Sequence, residues 1–453
     1  PWTSGDPLLY SESMWLPQDI IAIKRDGKSV SAEQIKQFID GVVSGAVDDT
    51  QVAAFCMAAV IHDLSVDETV AITRAMAESG ETLNWDSLDL PGPVLDKHSS
   101  GGGGDKVSLV ICPLIAACGG FVGKMSGRGL GHTGGTVDKM EAIPGYETAI
   151  DTKRFFKVVK ETGCALIGQT ATFAPADKKF YAIRDVTATV EHIGLITASI
   201  VSKKLAVNSQ GFVADIKVGS GALMKTAERA RALAESIVSV ANGAGLPTRA
   251  IVSDMNEVLG HSAGNATEVR EAIEYLTGVH RDPRLDIVIR ETAEQMLMIG
   301  GLAKDQSAAA SLIEKALDNG EAAERFNRMV HALGGPKDII TQYQTVLPEA
   351  PFKADILAPV TGYIEAIDTE AIGQVVVRLG GGRTKPNAPI DHSVGLTQVA
   401  GRWCRVDKDL TRLMTVHANK EDDFDRLKET ILNAITFTDE KLENKPVIHT
   451  IIN

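Results

Sequence analysis

Residues 126–136 read Ser-Gly-Arg-Gly-Leu-Gly-His-Thr-Gly-Gly-Thr, with five glycines in 11 positions. Such a run makes a poor helix interior and a poor strand, because glycine loses the most backbone entropy on ordering and has no side chain to pack. It has to be a tightly turned loop that presents backbone and hydroxyl donors. A second donor-rich run precedes it, Asp96-Lys-His-Ser-Ser-Gly-Gly-Gly-Gly-Asp105. Each run follows a short apolar segment (Val94-Leu95; Phe121 to Met125) and precedes a helical pattern, Lys106 to Cys118 in the first case. Two such loops after consecutive strands converge on one sheet edge, outside the carboxyl ends of the strands, where open α/β sheets hold ligands.

The surrounding pattern fits that reading. Cys164 to Gly168 and Gly211 to Val218 are further short apolar runs, separated by helical stretches such as Ala227 to Ala244. Strands alternating with helices imply a largely parallel sheet covered by helices. The N-terminal part differs. Ser31-Ala-Glu-Gln34 and Ser65-Val-Asp-Glu68 are capping boxes before apolar-periodic runs, and Val52 to Ile61 is an almost wholly apolar, alanine-rich helix expected to be buried. After about residue 345, prolines punctuate short alternating runs, Gly362 to Ile367 and Gln374 to Leu379, which read as strands of a small antiparallel module. The expected fold is thus α/β with a separate all-helical domain and a small C-terminal β-rich module. Residues 1–13 read as a non-native leader ahead of Met14, and no apolar run approaches the ~18 residues of a membrane span.

The chain has 453 residues, about three domains' worth, and carries 46 basic against 59 acidic side chains, a net charge of −13. So acidic a surface disfavours nucleic acid or a membrane as partner, and any anion must meet a local basic pocket. Five cysteines without Cys-x-x-Cys spacing argue for a reducing, cytoplasmic setting and against a disulfide frame or structural zinc.

The two loops combine glycine backbone with Lys97, His98, Ser99, Ser108, Ser126 and Thr136, a phosphate cradle in which a helix after Gly134-Gly135 also aims its N-terminus at the anion. The first loop's spacing is not that of a nucleoside-triphosphate loop, and it lacks Gly-x-Gly-x-x-Gly followed by an acidic residue ~20 residues later at a strand end.

Together, Asp-Lys-His-Ser-x-Gly-Gly-x-Gly-Asp and Ser-Gly-Arg-Gly-Leu-Gly-His-Thr-Gly-Gly-Thr-x-Asp-Lys-x-Glu resemble the thymidine and pyrimidine-nucleoside phosphorylase family. The likeness continues through Tyr181-Ala-Ile-Arg-Asp-Val-Thr, Ile196-Thr-Ala-Ser-Ile200, Ser202-Lys-Lys-Leu205 and Lys217-Val-Gly-Ser-Gly-Ala-Leu-Met224. It implies reversible phosphorolysis of thymidine or deoxyuridine, with phosphate as co-substrate and no required cofactor. It also implies a helical domain (14–80 and 173–206) that holds the base and makes a homodimer contact. An α/β domain (93–172 and 207–345) would hold phosphate, and a C-terminal module would span 346–453. Hinges would lie near Pro91-Gly92, Ala171 and Gln210.

By the same resemblance, Arg184, Ser199 and Lys203 bind the pyrimidine and Met224 lines its pocket. His98, Arg184 and Lys203 are catalytic, and Lys97, Ser99, Ser108, Ser126 and Thr136 bind phosphate. Asp96, Asp138 and Glu141 orient these groups, while His62, His132, His192 and His280 read as structural or surface residues and Lys204 as a solvated lysine. Gly104, Lys106, Leu259, Ser262 and Glu271 match positions through which some relatives bind a monovalent cation; no other metal is expected. Ser100, Gly103 and Lys106 depart from the family pattern, which has threonine, a bulkier residue and a smaller or neutral residue there; Lys106 would add a cation near phosphate or point to solvent. Three alternatives stay open: a broad enzyme that also cleaves uridine, an anthranilate-type phosphoribosyltransferase, and a non-enzymatic phosphate-binding protein.

Overall fold

The computed structural model describes residues 15–129, 131–170, 172–385 and 388–453. Residues 1–13 and Ala171, read above as a leader and a hinge, lie outside them. The chain divides into two units, one comprising the described residues up to Thr82 with 172–206 and Ser239–Ala244, the other the remainder.

The helical unit begins with α1 (Pro17–Arg25), α2 (Ala32–Ser44), α3 (Asp49–His62) and α4 (Val66–Glu78). The starts of α2 and α4 are written in their sequences. Ser31 accepts from the Gln34 N–H and Ser65 from the Glu68 N–H, at 3.2 Å in both cases, and each partner's side chain returns a bond to the cap backbone. Phe38, Ile39 and Val42 of α2 pack with Val52, Phe55 and Cys56 of α3 and with Ile72 and Met76 of α4 in one buried cluster. The charged Lys24 and Glu68 are buried together, Nζ to Oε2 at 3.0 Å. Helix α3 departs from expectation. Met57, Val60 and Ile61 remain exposed, Ile61 at 67%, because an apolar sequence can present a buried face to one core only.

In the second unit the order is β1 (Leu95–Ser99), α5 (Val107–Ala117), β2 (Val122–Ser126), α6 (Thr136–Glu141), α7 (Thr152–Thr162) and β3 (Cys164–Gly168). The chain then passes through α8 (Pro175–Val186) and α9 (Ile193–Val207) of the helical unit and returns as β4 (Gly211–Val218), α10 (Ala227–Gly243) and β5 (Thr248–Asp254). Strands β1, β4 and β5 pair in parallel, Leu95 opposite Gly211 and Phe212 opposite Thr248, and the antiparallel strand Ile448–Ile452 closes that edge. Strands β2 and β3 form a parallel pair, which a bridge from Phe121 to Val94 joins to the β1 side. The sheet is thus mixed and largely parallel. Helix α5 is buried on nearly every side, as its unbroken apolar sequence requires.

The C-terminal region holds two small antiparallel sheets. One orders Arg405–Val406, Gly362–Ile367 and Ile435–Thr438; the other orders Ala263–Gly264, Gly395–Thr397, Arg412–Ala418 and Phe352–Leu357. Here one expectation fails. Gln374 to Leu379 is helical, part of Thr369–Val376 and the wider turn that follows it. Asp368 caps this helix by accepting the Ala371 N–H at 3.0 Å, a signal that outweighs the run of valines. The five cysteines are all free. Among the described residues no helix is long and apolar enough to cross a membrane.

Candidate active site

The carboxyl ends of β1 and β2 open on a cavity of about 190 Å³. Its lining includes His98, Ser99, Ser108, Lys124, Ser126, Arg128 and Thr136. His98 and Ser99 end β1, Lys124 and Ser126 lie on β2, Ser108 and Thr136 sit in the first turns of α5 and α6, and the second loop adds Arg128. Backbone crowding explains two of the second loop's glycines: a Cβ on Gly135 would lie 2.0 Å from the Gly129 nitrogen, and one on Gly129 would lie 2.4 Å from the Gly135 nitrogen. Helix α6 spans only six residues, so few peptide dipoles add up along it. The positive character comes instead from side chains.

Those side chains are held from behind. Ser99 donates to Asp105 and accepts the Gly101 N–H at 3.1 Å. Asp105 also accepts the Val107 N–H at 3.2 Å, while its carbonyl accepts Lys139 Nζ at 2.7 Å. Burial alone would raise the Asp105 carboxyl, but the charges of Lys97, Lys217 and Lys139 and the Ser99 hydroxyl hold it well below the usual carboxylate range. Arg128 forms a fork with Glu141, at 2.5 and 2.7 Å, and reaches Asp138 at 3.2 Å. Asp138 in turn accepts the Gly129 N–H at 2.7 Å and Arg383 at 2.5 Å. Asp138 and Glu141 therefore position an arginine, and Asp96 lies 3.5 Å from Lys124.

Lys97 is buried beneath the lining, its Nζ 3.8 Å from Asp215 and without a hydrogen-bond partner among the described residues. Burial pushes its ammonium below the ordinary lysine value. Arg128, Lys124 and Gln169 line the cavity but were not singled out above. A lone lysine inside the apolar strand Val122–Ser126 is the signal that marks Lys124, because a strand buried at every position tolerates a charge only where something pairs with it.

The second constellation lies in the helical unit. Ser199 and Lys203, one turn apart on α9, meet at 3.2 Å, and Lys203 Nζ also donates to Asp177 Oδ2 of α8 at 2.5 Å. Asp177 is buried and its other carboxylate oxygen has no hydrogen-bond partner among the described residues. Arg184, on the same helix as Asp177, directs its guanidinium to the carbonyls of Thr189, Val190 and Leu195 at 3.3, 2.7 and 3.1 Å. It therefore fixes the turn that leads into α9. Met224 is buried in the other unit, its carbonyl bonded to the Gly219 N–H.

Three family models match this chain. The "Glycosyl transferase family, helical bundle domain" covers residues 18–80, the "Glycosyl transferase family, a/b domain" covers 91–323, and the "Pyrimidine nucleoside phosphorylase C-terminal domain" covers 363–438. The chain belongs to the pyrimidine nucleoside phosphorylase family. The fold is similar to that of anthranilate phosphoribosyltransferase from Thermus thermophilus, with a TM-score of 0.56 and 18% identity over 70% of this chain and 99% of that one. At that identity the likeness concerns the fold alone. The third domain is described for pyrimidine nucleoside phosphorylases, which makes this chain a glycosyltransferase of the phosphorylase type.

Within that family, Lys204 and Lys106 sit differently from expectation, while His192, His132 and Ser100 make structural contacts. Lys204 is buried, 4% exposed, because α9 is apolar on nearly all faces. His192 ties its turn together, bonding Asp63 at 3.0 Å and the Leu195 N–H at 3.2 Å. His132 contacts the Gly221 carbonyl at 3.2 Å. Ser100 accepts the Lys217 N–H at 2.7 Å and so fastens the glycine loop to β4. A Cβ on Gly103 would lie 3.0 Å from the Thr369 methyl, so a bulkier residue would crowd that contact. Lys106 points neither to the cavity nor to solvent. It is fully buried, with Nζ 2.9 Å from Glu271 Oε2, 2.5 Å from the Leu259 carbonyl and 3.1 Å from the Ser262 carbonyl. The oxygen set that the resemblance offered to a monovalent cation already surrounds an ammonium, and a metal ion does not fit beside it.

Proposed function

We propose that this phosphorylase catalyses the reversible phosphorolysis of thymidine and deoxyuridine, releasing the pyrimidine and forming 2-deoxyribose 1-phosphate. The observation that carries the reading is the cavity in which Lys124, Arg128, His98 and three serines converge, a donor set suited to a phosphate dianion. A phosphate oxygen attacks C1′ as the glycosidic bond breaks, and the bonding pair passes to the pyrimidine. Negative charge therefore grows on N1, O2 and O4 of the leaving base. The Lys203 ammonium and the Arg184 guanidinium stabilise that charge, Ser199 orients the ring, and His98 delivers the proton the base requires. Ser99, Ser108, Ser126, Thr136 and buried Lys97 complete the phosphate half-site, and Met224 borders the base. No covalent nucleophile is needed. The enzyme works as a cytoplasmic homodimer, with the apolar strip Met57, Val60 and Ile61 of α3 as the contact.

Thymine release from thymidine, with and without phosphate and beside a uridine control, tests the proposal. Phosphate-dependent release from thymidine but not uridine is expected. Equal release from uridine would identify the broad enzyme, and magnesium-dependent consumption of a free acceptor together with pyrophosphorylated ribose 5-phosphate, with release of pyrophosphate, would identify a phosphoribosyltransferase. No turnover under any condition would overturn the catalytic reading.

A further inference from the structure

The Lys106 ammonium has three N–H bonds and faces three oxygens, the Leu259 and Ser262 carbonyls and a Glu271 carboxylate oxygen. All three lie within 3.1 Å, and Lys106, Leu259, Ser262 and Glu271 are all buried. A desolvated charge of either sign is costly unless matched, and here each matches the other. Around the pair the packing is close. A Cβ on Gly104 would come within 2.7 Å of the Ser262 carbonyl and 2.9 Å of the Leu259 carbonyl, and the Gly103 carbonyl accepts the Leu259 N–H at 3.0 Å. Glu271 is anchored in turn by the Ser262 hydroxyl and by the His261 N–H at 2.9 Å.

What this junction holds is the glycine loop. Lys106 immediately precedes α5, directly after Asp105, which binds Ser99, and two residues before Ser108. Ser99 and Ser108 both line the donor-rich cavity. Fixing Lys106 therefore fixes the segment between two cavity hydroxyls from below, without touching any ligand in the cavity.

We propose that Lys106 is a built-in monovalent cation that pins the glycine loop to the 259–262 turn, so that the protein needs no metal ion there. Shortening the side chain would leave the same three oxygens around an empty space of ammonium size, now one positive charge short. A potassium ion has the charge and the affinity for oxygen to fill it, whereas choline is too large.

The test compares wild type with Lys106→Thr in potassium chloride and in choline chloride at matched ionic strength, reading the thermal midpoint and the KM for phosphate. Wild type should give the same midpoint and KM in both salts. Lys106→Thr should melt several degrees lower in choline chloride and recover most of that loss in potassium chloride. Its KM for phosphate should rise about tenfold without potassium, the weight of one charged contact, with kcat less affected. Equal impairment in both salts would reduce Lys106 to a packing role and overturn the proposal. So would a wild-type midpoint that falls when potassium is withdrawn, and this arm decides the matter even if Lys106→Thr does not fold in either salt. The midpoints need no substrate, so failure of the thymidine assay and failure of this inference remain distinguishable.

Discussion

At the scale of single residues, the proposed chemistry rests on a few charges whose partners limit what they can do. Lys203 is held between Asp177 and Ser199, so its ammonium is preorganised before any base arrives. Preorganised donors act mainly on the transition state, where charge on the leaving pyrimidine is greatest. Lys203→Ala should therefore lower kcat by ~100-fold or more with a smaller change in the KM for thymidine. Unchanged turnover in that variant would remove Lys203 from the mechanism. Arg128 makes a complementary prediction. It lines the cavity while Glu141 and Asp138 fix its fork, so Arg128→Ala should raise the KM for phosphate roughly tenfold, the weight of one charge-assisted hydrogen bond, and leave the KM for thymidine nearly unchanged. Initial-rate measurements with each substrate varied in turn separate the two. The glycine runs were legible as turned loops because their composition forces that geometry, whereas Ser199 and Lys203 were singled out by the resemblance, their spacing predicting only that they share a helix face. Lys106, Lys204 and Asp177 were not. Their roles depend on which carbonyl, core or carboxylate the fold brings to them from distant segments, and no local pattern encodes that.

At the scale of elements, legibility followed the strength of local signals. The capping boxes at Ser31 and Ser65 mark helix starts because the bonds they describe are made within four residues. The parallel strands were legible as short apolar runs between glycines and helices. Gln374 to Leu379 misled because a run of β-branched residues favours a strand locally, whereas the Asp368 cap and burial of Ile372, Val375 and Val376 decide for a helix. The capping box at Ser65 also supports a prediction, because its Glu68 does two jobs. The carboxylate accepts the Val30 and Ser65 N–H groups at 2.9 and 2.8 Å and neutralises buried Lys24. Burial pushes the Glu68 carboxyl up, but these bonds and the lysine charge outweigh it and set it below its ordinary value of 4.5. A carboxyl lowered by folding contributes stability that is present above its unfolded pKa and lost as pH falls through its folded one. Glu68→Gln should thus cost about 3 kcal/mol near neutrality, since Lys24 stays buried without a counter-charge. The gap from wild type should narrow as the pH drops below 4.5. Denaturant unfolding monitored across pH checks both the size and the slope; a gap independent of pH would mean that Glu68 acts through packing alone.

At the scale of the whole molecule, surface charge and surface apolarity point to different encounters. The net charge of −13 disfavours nucleic acid, and the proposed phosphate site relies on the local field of Lys124 and Arg128. The apolar strip on α3 has the opposite character. Met57, Val60 and Ile61 recur at helical spacing on one face and are 38%, 39% and 67% exposed, on a helix whose other face is buried in the core of its unit. A second copy of the chain offers the same strip, and two-fold pairing brings like apolar faces together without a new partner surface. Placing a carboxylate in the middle of such a contact opposes two negative charges across a dry interface. Ile61→Glu should therefore shift the protein from dimer to monomer in size-exclusion chromatography with light scattering. The thermal midpoint of the isolated chain should change little, because Ile61 contributes no buried side chain to its own unit. Two results would overturn the dimer reading: a wild-type protein that is monomeric at assay concentrations, or an Ile61→Glu variant that remains dimeric.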